Sequence, residues 1–183
     1  MMVMILWILL IASSQVESKF KSLHCESYDH SHGEFSLCKI KAINRYRNSI
    51  STTYLNKEFV PNRVTARLEF FKRANGWRPF LYNITLNVCD FLDRKKTKPN
   101  SNTMTIFRIA ASYLMPYFNT SFTCPFQPNT EYKIENLEFD VEKFRIRFPI
   151  ETGEYALNFG LYHKKILGFT INGSLDYSNY REH

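Results

Sequence analysis

Six residues near the start of the chain have the side chains and the spacing that bind transition metals: His24, Cys25, Asp29, His30, His32 and Cys38. Thiolate and neutral imidazole are the ligands zinc prefers, and a His-x-His pair flanked by cysteines resembles a tetrahedral set. That chemistry needs reduced sulfur. If both cysteines are oxidised, histidines and one aspartate in a polar, glycine-containing loop remain, and no metal site is expected. Hydrolysis would need a nucleophile, a base and an orienting group. The sequence has no Gly-x-Ser-x-Gly elbow, no His-Glu-x-x-His helix and no glycine-rich phosphate loop. The carboxylate pairs Glu135 with Glu138 and Glu151 with Glu154 fall in turns or at strand ends, without a group to drive their pKa values apart as acid–base work requires. The expectation is a non-enzymatic protein with no catalytic residue, metal or cofactor.

The remaining chemistry belongs to an oxidising compartment. Residues 1–12 are almost unbroken apolar, and the first basic side chain is Lys19. A run this short, followed by small residues, reads as a secretory signal peptide, with cleavage expected after Ser14 or after Ser18. That leaves 19–183 as a single domain of a secreted, extracellular protein. No other stretch approaches the ~18 apolar residues of a membrane span, so no transmembrane anchor is expected.

Four cysteines follow, Cys25, Cys38, Cys89 and Cys124, and two disulfides are expected. Three connectivities are formally open. Spacing favours Cys25 with Cys38 and Cys89 with Cys124, loops whose closure would contribute about 3 and roughly 4 kcal/mol. Three glycosylation sequons begin at Asn83, Asn119 and Asn172. Asn83 and Asn172 fall on the polar faces of their strands, where a glycan can be carried.

These residues are positioned by strands, because the dominant period after the leader is two. Strands are expected over 36–42, 49–55, 64–72, 80–89, 134–139, 144–148, 155–162 and 165–175. Val64, Ala66, Leu68 and Phe70 share one face, with Thr65, Arg67 and Glu69 on the other, which is a sheet with one buried side. Asn75-Gly76 is a hairpin turn signal. A strict two-residue loop there would put Asn83 on the apolar face, so an odd loop or a bulge is expected near residues 77–79. Helical spacing of Met104, Phe107, Ala111, Leu114 and Phe118 predicts a short helix over 103–115, after a basic loop at 94–99.

A net charge of +7, higher still if Glu17 leaves with the leader, favours anionic lipid head groups, acidic glycans or acidic partner surfaces over nucleic acid. The 16 Phe, 11 Tyr and 2 Trp are a large apolar payload for a small sandwich. They fill a core or line a cavity for an apolar ligand, and patterning alone does not distinguish the two.

Several stretches resemble one family. The runs 38–45, 70–83 (with Asn-Gly-Trp-Arg-Pro-Phe-Leu-Tyr-Asn the most specific), Cys89-Asp90-Phe91-Leu92, Thr123-Cys124-Pro125-Phe126 and 149–155 look like the insect family of secreted proteins of unknown function that includes the CheB chemosensory proteins. That family is related to the ML lipid-recognition domains. The resemblance implies an all-β, immunoglobulin-like (ML-type) two-sheet sandwich, with one short helix inserted between Cys89 and Cys124, able to hold a lipid between its sheets. It also implies the Cys89–Cys124 bond. Asn87 stands where many relatives carry Asp, and no His precedes the Phe-Thr-Cys-Pro segment, so ligand assignments transfer less directly.

The expected function is therefore binding of a hydrophobic ligand, a lipid, fatty-acid derivative or pheromone-like hydrocarbon, with chemosensory biology by analogy. Strand alternation nominates Leu68, Phe70, Ile84, Leu86, Leu157, Phe159, Leu167 and Phe169 as the lining. The alternative is an interaction module with a filled core, whose basic surface (Lys39, Lys41, Arg45, Arg47 and residues 94–98) meets an acidic receptor or glycan.

Overall fold

Alternating apolar and polar residues form strands with one dry and one wet face, and the chain stacks two such sheets dry side to dry side. The computed structural model describes residues 17–93, 108–109, 111–140 and 151–178. The strands are β1 (Glu17–Ser27), β2 (Gly33–Ala42), β3 (Asn48–Asn56), β4 (Val64–Ala74), β5 (Gly76–Asn87), β6 (Thr130–Leu137), β7 (Gly153–His163) and β8 (Ile166–Ser178). One sheet has the order β1-β8-β7-β4-β5 and the other β2-β3-β6, with every pairing antiparallel. Alternation predicts the strands, and the all-β two-sheet architecture is the one that the resemblance implies.

The sheets are joined along one edge. The Cys25–Cys38 disulfide links β1 to β2 with Cα atoms 6.1 Å apart. Asn48 of β3 reaches β1, its amide oxygen accepting from the Phe20 N–H and its amide nitrogen donating to the Phe20 carbonyl, both at 2.8 Å. A second disulfide, Cys89–Cys124, is surrounded by Val64, Phe126, Phe122 and Tyr132 and closes the opposite end. Both bonds have the connectivity that spacing favours.

Strand β1 was hidden from the alternation. Its apolar residues Phe20 and Leu23 are three apart, and a bulge between Phe20 and Ser22 turns both inward, opposite Leu175 and Gly173. The β5 strand ends two residues earlier than expected, at Asn87. There the Asn87 side chain accepts from the Asp90 N–H at 3.0 Å and caps a short helix, α1 (Val88–Leu92). Residues 144–148 and the basic loop 94–99 lie outside the described residues. The expected helix 103–115 lies outside them in part, at 103–107 and 110, and its residues 108, 109 and 111–114 are helical.

The β4–β5 hairpin corrects one further expectation. Asn75 stands alone at the apex, with Ala74 facing Gly76, whose φ of 104° suits glycine. The loop is odd, but residues 77–79 pair regularly with 71–73, and the irregularity sits between the Phe71–Pro79 and Glu69–Asn83 pairs. Leu81, with φ 59°, is at its centre. The shift puts Leu68 opposite Ile84 on the dry face and leaves Asn83 exposed beside Glu69, 3.3 Å away.

Gly33 opens β2 where Tyr54 of β3 crosses it. A β-carbon there would lie 2.5 Å from the Leu55 carbonyl oxygen and closer still to the Tyr54 hydroxyl. A backbone atom cannot step aside, so Gly33→Ala is expected to cost about 1–3 kcal/mol by overpacking, read out by chemical denaturation.

Candidate functional site

The space between the sheets is floored by the five-stranded sheet. Ala66, Leu68, Ile84 and Leu86 form its buried centre, with Phe70, Leu157, Phe159 and Leu161 packed against it and Phe91 of α1 alongside. Phe169 continues this surface, 6.1 Å from Phe159 between ring centroids. Across the gap it meets Tyr54 at 4.4 Å and Phe35 at 5.3 Å. One end is closed by Phe122 stacked on Tyr132 at 5.0 Å, with Phe118 and Phe126 edge-on. At the other, Phe80 leans on Tyr155 at 5.2 Å beside fully buried Tyr177.

Seven of the eight expected residues share this dry face, namely Leu68, Phe70, Ile84, Leu86, Leu157, Phe159 and Phe169. Leu167 does not. A bulge at Gly168 carries the β7–β8 ladder from Leu161–Phe169 directly to Tyr162–Leu167, and Leu167 comes to lie beside Gly160 and Tyr162 on the outer face. Inward residues absent from the expected lining include Phe35, Tyr54 and Ile171, the last opposite Phe159. Many of these inner-face side chains are only half-buried. Phe70, Leu157, Phe159, Leu161, Ile171, Phe35 and Tyr54 all keep some solvent access although they point between two sheets.

The polar groups that are buried near this space serve the backbone. Asn56 donates to the carbonyls of Glu58 and Gln127 at 2.6 and 2.7 Å, and Ser51 accepts from the Asn136 N–H at 3.0 Å. Burial, and secondarily the Asp29 charge, push the Tyr54 phenol up to about 12, so it stays neutral at physiological pH. Such a space offers apolar contact rather than acid–base chemistry.

The polar cluster near the N-terminus is dispersed. Cys25 and Cys38 are bonded to each other, His24 faces Glu26 and His30 faces Glu34. His32 sits between Asp29 at 2.9 Å and Glu58 at 3.4 Å. Among the described residues no group of three or more His, Cys, Asp or Glu is placed to hold a metal ion. The carboxylate pairs also part: Asn119 donates to Glu135, Arg47 donates to Glu138 and Lys72 to Glu151.

His163, 6.3 Å from the His32 ring, has its pKa lowered by burial first and then by Lys164 and His32. Depression in the folded state means that its contribution is complete above the unfolded value of ~6.5 and is lost as pH falls through that value toward the folded one. His163→Gln is expected to flatten that part of the stability profile in denaturation series run from pH 7.5 to 5.

On the outer face, Gly160 leaves a shallow polar depression bordered by Arg67, Glu69, Asn158, Tyr162, Thr170 and Asn172. The sequon residue Asn172 is thus outward but half-buried, whereas Asn83 and Asn119 are exposed.

The model of the family described as a protein of unknown function (DUF1091) matches residues 66–157, half of the 183-residue chain. The chain belongs to this family. It is the family of ML-domain-like insect proteins that the sequence resembles, and the match runs from near the start of β4 to the middle of β7. Among solved structures, a Niemann-Pick type C2 protein from Japanese carpenter ant is similar over 89% of this chain and 93% of that chain, at 15% identity and a TM-score of 0.31. The search of curated proteins found no match. In this DUF1091 protein no helix of the described residues is long and apolar enough to cross a membrane.

Proposed function

We propose that this DUF1091 protein is a secreted, non-enzymatic binder of an apolar small molecule, a lipid, fatty-acid derivative or hydrocarbon, held between its two sheets in a chemosensory or lipid-handling role. The observation that carries this reading is the half-buried inner face: phenylalanines and leucines point between two sheets yet keep solvent access. A close-packed interior removes such residues from water altogether. An apolar guest would complete their burial, at about 25 cal/mol for each Å² covered.

Two disulfides support an oxidising compartment. Cleavage of the leader after Ser14 leaves β1 whole, whereas cleavage after Ser18 removes the hydroxyl that donates to the Phe139 carbonyl. Exposed Asn83 and Asn119 are proposed to carry glycans ahead of half-buried Asn172.

Native mass spectrometry of protein secreted from insect cells, followed by organic extraction, tests the reading. The expected species begins at Gln15, carries glycans at Asn83 and Asn119 and releases an apolar adduct. Protein that leaves with no adduct and takes up none of a panel of fatty acids and long-chain hydrocarbons overturns it in favour of a filled-core interaction module.

A further inference from the structure

Both long hairpins turn at the same end of the sandwich. The register runs in one row across the molecule, from Lys72 to Tyr155, Leu175 and Phe20, then through the Asn48 side chain to β3 and its partner Ala42. Beyond that row lie the β4–β5 tip and the β2–β3 tip, the latter held to β1 by Lys19, which donates to the Arg45 carbonyl. The two tips are built alike. In one, the Arg45 guanidinium lies 5.5 Å from the centre of the Tyr46 ring; in the other, Arg73 lies 5.2 Å from that of Trp77. Both rings are exposed, at 42% and 41%, and Ile43 adds an aliphatic side chain at 46%.

Cations are in excess at this end, although Glu17 and Glu154 also lie beyond the row. Glu151, Glu138 and Asp176 are engaged by Lys72, Arg47 and Lys21. Lys19, Lys41, Arg45, Arg73 and Arg78 have no ion-pair partner among the described residues. The opposite end also exposes Tyr28, Phe59 and Ile166 together with the cations Arg63, Lys164 and Lys165, but carboxylates are interspersed there, with Glu34 on Lys57 and Asp29 and Glu58 on His32.

We infer that the two hairpin tips form a docking face for an anionic lipid bilayer, Trp77, Tyr46 and Ile43 entering the interface while the unpaired cations meet the head groups. Indole and phenol rings settle at head-group depth because one edge is apolar and the other can hydrogen-bond. Arginines stacked on those rings are held where the phosphates lie, and a concentration of unpaired cations is what a negatively charged surface attracts. The face stands independently of any guest between the sheets, since no tip residue belongs to the inner lining.

Trp7 leaves with the proposed leader, so in secreted protein beginning at Gln15 Trp77 is the only tryptophan of the sequence and the indole emission reports on the tip. With vesicles of phosphatidylcholine and phosphatidylserine at 7:3, the protein is expected to co-sediment and Trp77 emission to shift to the blue. Pure phosphatidylcholine vesicles and raised salt are expected to suppress both. Trp77→Ala is expected to weaken partitioning at least about tenfold, and Arg73→Gln and Arg78→Gln about fivefold each. Phe59→Ala at the far end leaves it unchanged, and all four variants keep the parent thermal melt because the side chains are exposed. Failure to co-sediment at low salt, binding without a Trp77 shift, or equal loss from Phe59→Ala overturns the assignment. Displacement from the vesicles by soluble polyglutamate at matched charge overturns it too, and assigns the face to an acidic polypeptide.

Discussion

Leu68→Ala is expected to lower the unfolding free energy by about 3–5 kcal/mol and Phe159→Ala by less than about 2, although phenylalanine is the larger side chain. The inversion follows from where each sits. Leu68 is 6% exposed and lies between Ile84 and Phe159 in the β5-β4-β7 ladder, so its loss leaves a hole that two hydrogen-bonded neighbours cannot collapse into. Phe159 is half-buried and loses less area and fewer dispersion contacts on truncation. Urea denaturation of the two variants, with displacement of a fluorescent fatty acid measured on each, separates the outcomes. Phe159→Ala should alter affinity for the probe while the fold persists. A loss near 4 kcal/mol for both variants, with probe binding unchanged, would mean that the interior is filled.

The joint Cys89→Ser and Cys124→Ser substitution is expected to cost about 4 kcal/mol, more than the ~3 of Cys25→Ser with Cys38→Ser, because the first bond closes a separation of 35 residues and the second one of 13. The larger effect has a local counterpart. Val64 and Phe126 are buried against the Cys89–Cys124 bond, and the segment bearing Phe118 and Phe122 is anchored by few strand pairings of its own, among them the Phe118–Ile134 bridge. Reduction of this bond alone should therefore expose residues 118–126 to limited proteolysis before the sheets unfold. A variant that loses stability without new cleavage there would place the effect in the unfolded chain only.

Parity in the sequence made the dry face of β4, β5 and β7 legible, since a strand reverses its side chains at every residue and nothing interrupts that count from Val64 to Phe70 or from Tyr155 to Leu161. The failures occur where a ladder slips. Gly168 inserts one residue and sends Leu167 outward; the bulge after Phe20 hides β1 behind an apolar spacing of three; Leu81 displaces the hairpin's irregularity from where Pro79 suggested it. Each bulge is fixed by pairing with a distant strand, information that local alternation does not contain. The Asn87-to-Asp90 cap was readable, as an asparagine three residues ahead of an acid, but the apolar run through Val88 and Cys89 pointed to continued strand. The joining of the two hairpin tips at one end depends on sheet order alone and had no local sign.

The same slip at Leu81 governs how the molecule behaves toward copies of itself. Strand β5 spans 12 residues at the border of the larger sheet, and no strand among the described residues pairs with its outer side. A straight border of that length would be a template for cross-molecular pairing and fibril growth. Pro79 lacks the amide hydrogen, Leu81 turns its backbone out of the ladder direction, and Asn83 just beyond is a position for a bulky sugar. The uninterrupted stretches left on either side of Leu81 are short, which disfavours edge-to-edge recruitment of a second chain.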